Sequence, residues 1–462
     1  MCSKFISLFV FLAFAFSASA TPPKYVFFFI GDGMGMGHIL STETYNRTVL
    51  GNKNHILMMQ FPVSSFALTY SYQNPITDSA AAGTALSTGS KTRNGMLGQN
   101  PDTVNVVSIA RQLKDKGYGV AIATSVQPDD ATPAAFYAHQ PSRKMFYEIG
   151  KDMAASNYDF FAGSKLRGTT DKNGKPTDLI KVLEGNGYTI AYGRNQLAKA
   201  KDKKKILLLD PNTSNDHIGF TIDSINGALT LPEITRAALT HLERVSPNNF
   251  FMMLEGGNID WAAHSNDGGT VVKEVLNFNQ ALQEAYNFYL KHPKETLIIV
   301  TADHDTGGMT VGVSNGPKVV ALKNIDYQRV SKAVFMDYCS AKLKEEKAYT
   351  WAEMKQYIID KLGLYTIIPV SKSQNEDLEE EFNKIFVLRE KHDTKTLYNT
   401  FNSFTEDVFS IVEHGTGFGW TSNNHTGNPV PVFAIGNGAE AFMNVNNNID
   451  IPKKIRKIME IK

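Results

Sequence analysis

The chain has 462 residues, 42% of them hydrophobic and 20% charged, with 47 basic and 46 acidic side chains. Its composition is that of a soluble globular protein, and its length suits one large domain with insertions or two or three ordinary ones. Near-balanced charge leaves no basic surface that would advertise nucleic acid or a membrane as partner.

In chain order, Lys4 is followed by an apolar run from Phe5 to Phe16 and then by Ala18-Ser19-Ala20. A basic start, a short apolar stretch and an A-x-A-like end describe a secretory signal peptide over residues 1–20, cleaved after Ala20. The run is short for a membrane span, so an uncleaved anchor is the lesser alternative. The expected location is therefore outside the cytoplasm, periplasmic or secreted. Cleavage would remove Cys2 and leave Cys339 as the one cysteine, so no intrachain disulfide is expected. The core, or metals, must then hold the fold. No later segment reads as transmembrane.

Short continuous apolar runs recur at 25–30, 120–123, 206–209, 250–254, 297–300 and 430–435. Continuous rather than alternating hydrophobicity predicts strands buried on both faces, as in a parallel sheet. Amphipathic stretches between them predict helices over Val106–Lys116, Leu231–Arg244 and Val271–Leu290. Strand alternating with helix gives an α/β fold with a doubly wound, mostly parallel sheet. In such a sheet the site lies beyond the carboxyl ends of the strands. Residues 315–410 lack that repeat. Helices are predicted there at Trp351–Leu362 and Asp377–His392, with a loop at Pro369–Gln374. This region reads as a crown-like insertion in a domain made of 21–314 and 411–462.

Candidate functional residues close the strands. Gly31-Asp32-Gly33-Met34-Gly35 follows the first, but His38 stands where a dinucleotide fingerprint needs its third glycine. Asp32 is a ready cation ligand or a capping residue of a Gly turn. Thr77-Asp78-Ser79 runs into Ala80-Ala81-Ala82-Gly83, which places Ser79 at the first turn of a helix. Alone it reads first as a cap, and second as a nucleophile aimed at an anion. Asp130 and Thr132 offer oxygen ligands for a harder ion, or plain turn chemistry. Arg143 could clamp phosphate oxygens or lie on the surface. Asp260 and His264 are spaced i, i+4, as two ligands of one zinc would be, and Glu255 could serve a second ion. Asp303 and His304 can reach one metal together, whereas His425, in a loop, depends on its company.

Taken in this order, these motifs resemble those of the alkaline phosphatases over nearly the whole mature chain. The pieces are Gly31-Asp32-Gly33-Met34-Gly35, Thr77-Asp78-Ser79-Ala80-Ala81, Asp130-Ala131-Thr132-Pro133 with Arg143, Glu255 with Asp260 and His264, Thr301-Ala302-Asp303-His304, and His425-Thr426-Gly427. The resemblance implies that Ser79 is transiently phosphorylated. It implies that Asp260, His264 and His425 hold one zinc and that Asp32, Asp303 and His304 hold another. Asp32 would be shared with a magnesium site completed by Asp130, Thr132 and Glu255. Arg143 would bind the substrate phosphate, with Asp78 orienting it. Trp261 stands where other members carry Lys or His. We place it with Ser79 and Arg143 at the phosphate and expect weaker phosphate retention for want of a cation.

The expected activity is hydrolysis of small-molecule phosphate monoesters by an exported enzyme with two zinc ions and one magnesium ion. Two cations ~4 Å apart can stabilise the attacking and leaving oxygens of phosphoryl transfer together. A homodimer is the expected assembly, with a monomer as alternative. The rivals are a phosphodiesterase or sulfatase of the same superfamily and, from another class, a non-catalytic phosphate- or metal-binding protein. Ser79 lacks the Cys/Ser-x-Pro-x-Arg surroundings that a sulfatase would need.

Overall fold

The computed structural model describes residues 21–212, 216–313, 320–345 and 349–461. The expected leader, residues 1–20, lies outside them. The central strands are β1 (Tyr25–Gly31), β2 (Val63–Ala67), β3 (Gly119–Thr124), β4 (Phe160–Gly163), β5 (Tyr188–Tyr192), β6 (Lys205–Leu209), β7 (Phe250–Glu255) and β8 (Thr296–Ala302). After them come short strands β9 (Asp305–Thr306), β10 (Thr310–Val311), β11 (Asp393–Lys395), β12 (Thr400–Asn402), β13 (Phe418–Gly419) and β14 (His425–Thr426), and then β15 (Val430–Gly436). One nine-stranded sheet runs in the order β2-β15-β8-β1-β7-β3-β4-β6-β5. All its pairings are parallel except those of β15, which is antiparallel to β8 and to β2. The fold is thus the doubly wound, mostly parallel α/β sheet read from the apolar runs.

The six runs are all strands because each is apolar on both faces. Every residue of β1 is buried, with Phe27, Phe28 and Phe29 fully inaccessible. Helices cover the sheet, among them Leu231–Val245 and Gly268–Lys291, which pack on each other. Three strands were not read. β4 is four residues long, β5 is an edge strand, and β2 buries only its two ends, so none carries a long apolar run.

Three helix starts differ from expectation because capping overrides the apolar pattern, among them the helix expected from Val271, which starts at Gly268 after the Asp267 cap. The helix expected from Val106 starts at Ile109, where the Ser108 side chain accepts from Arg111 N. The helix expected from Asp377 starts at Lys372, inside the expected loop. Ser371 and Gln374 form a capping box there. It ends at Phe382 and passes into a wider turn over Asn383–Val387, short of His392. Residues 330–412 enclose an apolar cluster of their own, including Phe335, Cys339, Ile358, Phe382 and Phe404. The helix Ser403–Thr416 runs through residue 410.

Strand order positions the site. β8, β1, β7 and β3 are consecutive neighbours. Their ends are level, with Gly31 opposite Ala302, Ile30 opposite Glu255 and Thr124 opposite Glu255. Asp32, Glu255, Asp303 and His304 therefore emerge side by side.

Candidate active site

The helix Ser79–Thr88 begins where Asp78 turns from extended backbone (φ −101°, ψ 169°). Asp78 Oδ1 accepts from Ala81 N at 3.0 Å, and Oδ2 accepts from Gly95 N at 3.0 Å. The cap is real, and it fixes the neighbouring Ser79. Ser79 is 1% exposed, with Oγ 3.2 Å from His304 Nε2. Small residues allow the helix to lie close to the Asp130 turn. A Cβ on Gly83 would meet Ala135 Cβ at 3.1 Å and Thr132 Cα at 3.2 Å.

Asp260 and His264 share the short helix Asn258–His264, as their spacing requires, and His264 Nε2 is 3.4 Å from Asp260 Oδ1. His425 comes from β14, which pairs with β9 and so lies against the residues that follow His304. Its Nε2 is 3.1 Å from His264 Nε2. The far nitrogens set the tautomers. His264 Nδ1 is 2.7 Å from Asn423 O, and His425 Nδ1 is 2.9 Å from Thr77 O. A carbonyl only accepts, so both Nδ1 atoms carry protons. The two Nε2 atoms then converge on one point, an arrangement that a cation bound between them would satisfy.

His304 follows the same logic. Thr306 Oγ1 donates to Asp260 Oδ1 and lies 3.2 Å from His304 Nδ1, leaving His304 Nε2 free to accept. That nitrogen faces Asp303 Oδ2 at 3.2 Å and Asp32 Oδ1 at 3.4 Å. Gly33 N and His304 N both donate to Asp303 Oδ1. Gly33 (φ +68°) has no room for a side chain, since a Cβ would sit 2.7 Å from Asp260 Oδ1.

Among the described residues, two groups bring ligand atoms within 4.8 Å of one another. They are Asp32, Asp303 and His304, and Asp260, His304 and His425. His304 thus reaches both groups, whereas the sequence reading placed it in one. The Asp130, Thr132 and Glu255 set is looser. Thr132 Oγ1 donates to Asp303 Oδ2 at 3.5 Å, Glu255 accepts from Thr124 Oγ1, and Asp130 faces Arg143.

The electrostatics show what this cluster lacks. Burial, then Asp303 and Asp260, pushes the Asp32 carboxyl well above its ordinary range. Burial pushes Glu255 up to about 8, and burial with Asp260 pushes Asp303 up to about 6. Burial acts on Asp260 in the same sense, but His264, His425 and His304 outweigh it and bring the carboxyl down to about 2. Asp32 Oδ1 is buried without a hydrogen-bond partner. Crowded buried carboxyls, one orphaned oxygen and converging imidazole lone pairs fit divalent cations. The mixed N/O sets suit zinc, and the all-oxygen set suits magnesium.

Arg143 bridges two carboxylates, with Nη1 3.3 Å from Asp78 Oδ2 and Nη2 3.1 Å from Asp130 Oδ1. Burial pushes Asp130 up, but Arg143 and then Arg167 outweigh it, so its carboxyl lies below its ordinary value. Arg143, Asp78, His264, His425 and Trp261 line one cleft of about 800 Å³. A larger cavity of about 1240 Å³ lies alongside but holds none of the candidate residues. Trp261 is stacked under Tyr398, with ring centroids 4.0 Å apart and planes at 8°. Tyr398 donates from its hydroxyl to Asp260 Oδ2 at 3.1 Å. Sequence reasoning missed Tyr398, which carries no motif, and Thr306, which lies two residues past His304.

The alkaline phosphatase family model matches residues 23–159 and 156–461. Alkaline phosphatase 4 of Bacillus subtilis (strain 168) is 31% identical over 441 residues, covering 93% of this chain and 87% of that one. The structure of a cold-active alkaline phosphatase from the psychrophile Shewanella sp. superimposes with a TM-score of 0.79 at 25% identity. That match covers 94% of this chain and 99% of that chain. A histidine-to-aspartate variant of the alkaline phosphatase of the Antarctic bacterium TAB5, with magnesium bound in its M3 site, superimposes with a TM-score of 0.67. It is 25% identical, over 96% of this chain and 99% of that one.

Proposed function

The chain belongs to the alkaline phosphatase family and is a phosphoric-monoester hydrolase, and from that premise we propose that it works through a phosphorylated Ser79. The carrying observation is Ser79 Oγ at a helix N-terminus, 3.2 Å from His304 Nε2 and beside the Asp78–Arg143 pair. Asp260, His264 and His425 would hold one zinc ion and Asp32, Asp303 and His304 another. Asp130, Thr132 and Glu255 with Asp32 would hold magnesium. The aspartate variant with magnesium in its M3 site supports the last assignment. Bound there, the ions would supply charge neutralisation for phosphoryl transfer and would acidify the serine hydroxyl.

This chain's residues do the positioning. The Arg143 guanidinium and the backbone N–H groups that open the helix Ser79–Thr88 hold the non-bridging oxygens. Ser79 Oγ attacks phosphorus in line, and the ester bond to the alcohol breaks as the seryl bond forms. Water then attacks phosphorus, releasing phosphate and restoring Ser79, so each cycle consumes one water. Asp78 holds Arg143, and the Thr77 and Asn423 carbonyls hold the rings of His425 and His264.

Hydrolysis of an aryl phosphate and of the matching diester, with and without chelator, tests this reading. Monoester turnover is expected to disappear with chelator and to fall by three or more orders of magnitude, roughly, in Ser79→Ala. Undiminished turnover by Ser79→Ala would sink the phosphoserine route, and cleavage of the diester alone would make the chain a diesterase.

Export rests on residues 1–20. N-terminal sequencing of the protein from its native host is expected to begin at Thr21, and Met1 at the N-terminus would refute it. The apolar cluster within 330–412 supports treating residues 315–410 as an insertion in a catalytic domain of 21–314 and 411–462. Among the described residues no helix is long and apolar enough to cross a membrane. We take the assembly to be a homodimer, and a monomeric mass by sedimentation would refute that.

A further inference from the structure

Among the described residues, the inserted region reaches the cleft at the β11–β12 hairpin, through Leu397 and Tyr398. Its turn is closed by Thr396 N donating to Asn399 O at 2.8 Å and Asn399 N donating to Thr396 Oγ1 at 3.1 Å. That turn carries Tyr398 over the helix Asn258–His264. The phenol ring lies flat on Trp261, and the His264 ring meets it edge-on at 5.2 Å. Beside it, Asn399 Nδ2 donates to Ser265 Oγ at 3.3 Å. At its base the hairpin is tied to the rest of the insertion by Ser403 N donating to His392 O at 2.8 Å and by Lys332 Nζ, 4.7 Å from the Phe401 ring centre.

The two Asp260 oxygens have different partners. Oδ1 accepts from Thr306 and faces His264 Nε2 at 3.4 Å and His425 Nε2 at 3.8 Å. Oδ2 accepts from Tyr398. A carboxylate accepts only, so the phenol is the donor. With Oδ2 tied on one side, Oδ1 is left turned toward the two imidazole lone pairs. We propose that Tyr398 is a positioning residue supplied by the insertion, which holds the Asp260 carboxylate in the orientation that binds zinc with His264 and His425. This rests on reading those three residues as a zinc site. Without the phenol, the buried Oδ2 has no partner from the hairpin, and the carboxylate is held at Oδ1 by Thr306 but is no longer fixed at both oxygens. Partners that orient ligands in this way typically contribute 10–100-fold to metal affinity.

The test is zinc titration of metal-stripped full-length protein against a chromophoric chelator, for wild type, Tyr398→Phe and, as a control in the same hairpin, the exposed Lys395→Ala. Phenylalanine keeps the stack on Trp261 and removes the hydrogen bond. Tyr398→Phe is expected to weaken zinc binding about 10-fold or more, with Lys395→Ala unchanged and the metal-free melting temperatures of all three alike. Zinc affinity of Tyr398→Phe within about two-fold of wild type would overturn the proposal. So would a loss of affinity matched by a fall in its metal-free melting temperature, which would assign Tyr398 to folding. If wild type binds no zinc, the metal reading fails and takes this proposal with it. If wild type binds zinc and Tyr398→Phe does so equally, only the proposal fails.

Discussion

Burial pushes the Asp32, Glu255 and Asp303 carboxyls up in the metal-free fold, and neighbouring carboxylates add to it, Asp303 at Asp32, Asp130 at Glu255 and Asp260 at Asp303. Glu255 is raised to about 8 and Asp303 to about 6. The folded state therefore binds more protons than the unfolded chain across that window, and this contribution is complete below the ordinary carboxylate range. It is lost as pH rises through about 6 and then about 8. Divalent ions invert the dependence, since they bind the deprotonated carboxylates and expel the protons. Burial pushes His38, His217, His241 and His304 down, and these act in the opposite sense below roughly pH 7, so the carboxyls are read by difference. Calorimetry should show the metal-free melting temperature of wild type losing more than that of Glu255→Gln between roughly pH 5 and pH 9, and zinc with magnesium should remove that loss in wild type. Identical metal-free pH dependence in wild type and Glu255→Gln would contradict this account of the carboxyls.

The helix Gly268–Lys291 shows how one element joins the sheet to the insertion. Asp267 caps it, with Oδ1 accepting from Thr270 N and Gln328 Nε2, and Oδ2 accepting from Thr270 Oγ1 and Lys332 N. The capping residue is 1% exposed, so no water replaces it. Asp267→Ala strands several buried donors and should cost about 3 kcal/mol or more, read as a lower urea midpoint at unchanged slope. An effect below about 0.5 kcal/mol would mean the donors find other partners. The same kind of side-chain bond explains the shifted helix starts. Ser108 and Ser371 are small polar residues whose capping is settled by backbone geometry, while the apolar pattern shows only which face is buried.

Among the described residues the molecule carries two apolar clusters, one built on the nine-stranded sheet and a smaller one within 330–412. Cys339 lies fully buried in the smaller, and burial pushes its thiol up to about 12, so it reacts only when that region opens. In protein beginning at Thr21, Phe404→Ala removes a fully buried ring that contacts Phe335, Trp351, Phe382 and Phe386. A loss of about 3–5 kcal/mol should speed Cys339 labelling roughly 100- to 4000-fold, while amide exchange in β1 and β8 stays slow. Equal acceleration in the sheet would show that the two clusters open as one.

Much of the fold and of the candidate site is legible in the sequence, and the reason is distance along the chain. Asp32, Glu255, Asp303 and His304 each stand within two residues of a strand end, and Asp260 and His264 share one helical face. Local periodicity therefore announces both the carboxylate or imidazole and the direction in which it points. The sequence by itself determined the α/β class, the order of the motifs and the chemistry that their residue types can perform. Tertiary structure decided which strands are neighbours, that His304 reaches both ligand groups, and that Tyr398, 138 residues from Asp260, closes over it. Such contacts depend on sheet order and on how an insertion folds back. Both are set by packing between distant segments, which leaves no mark in the spacing of residues along either one.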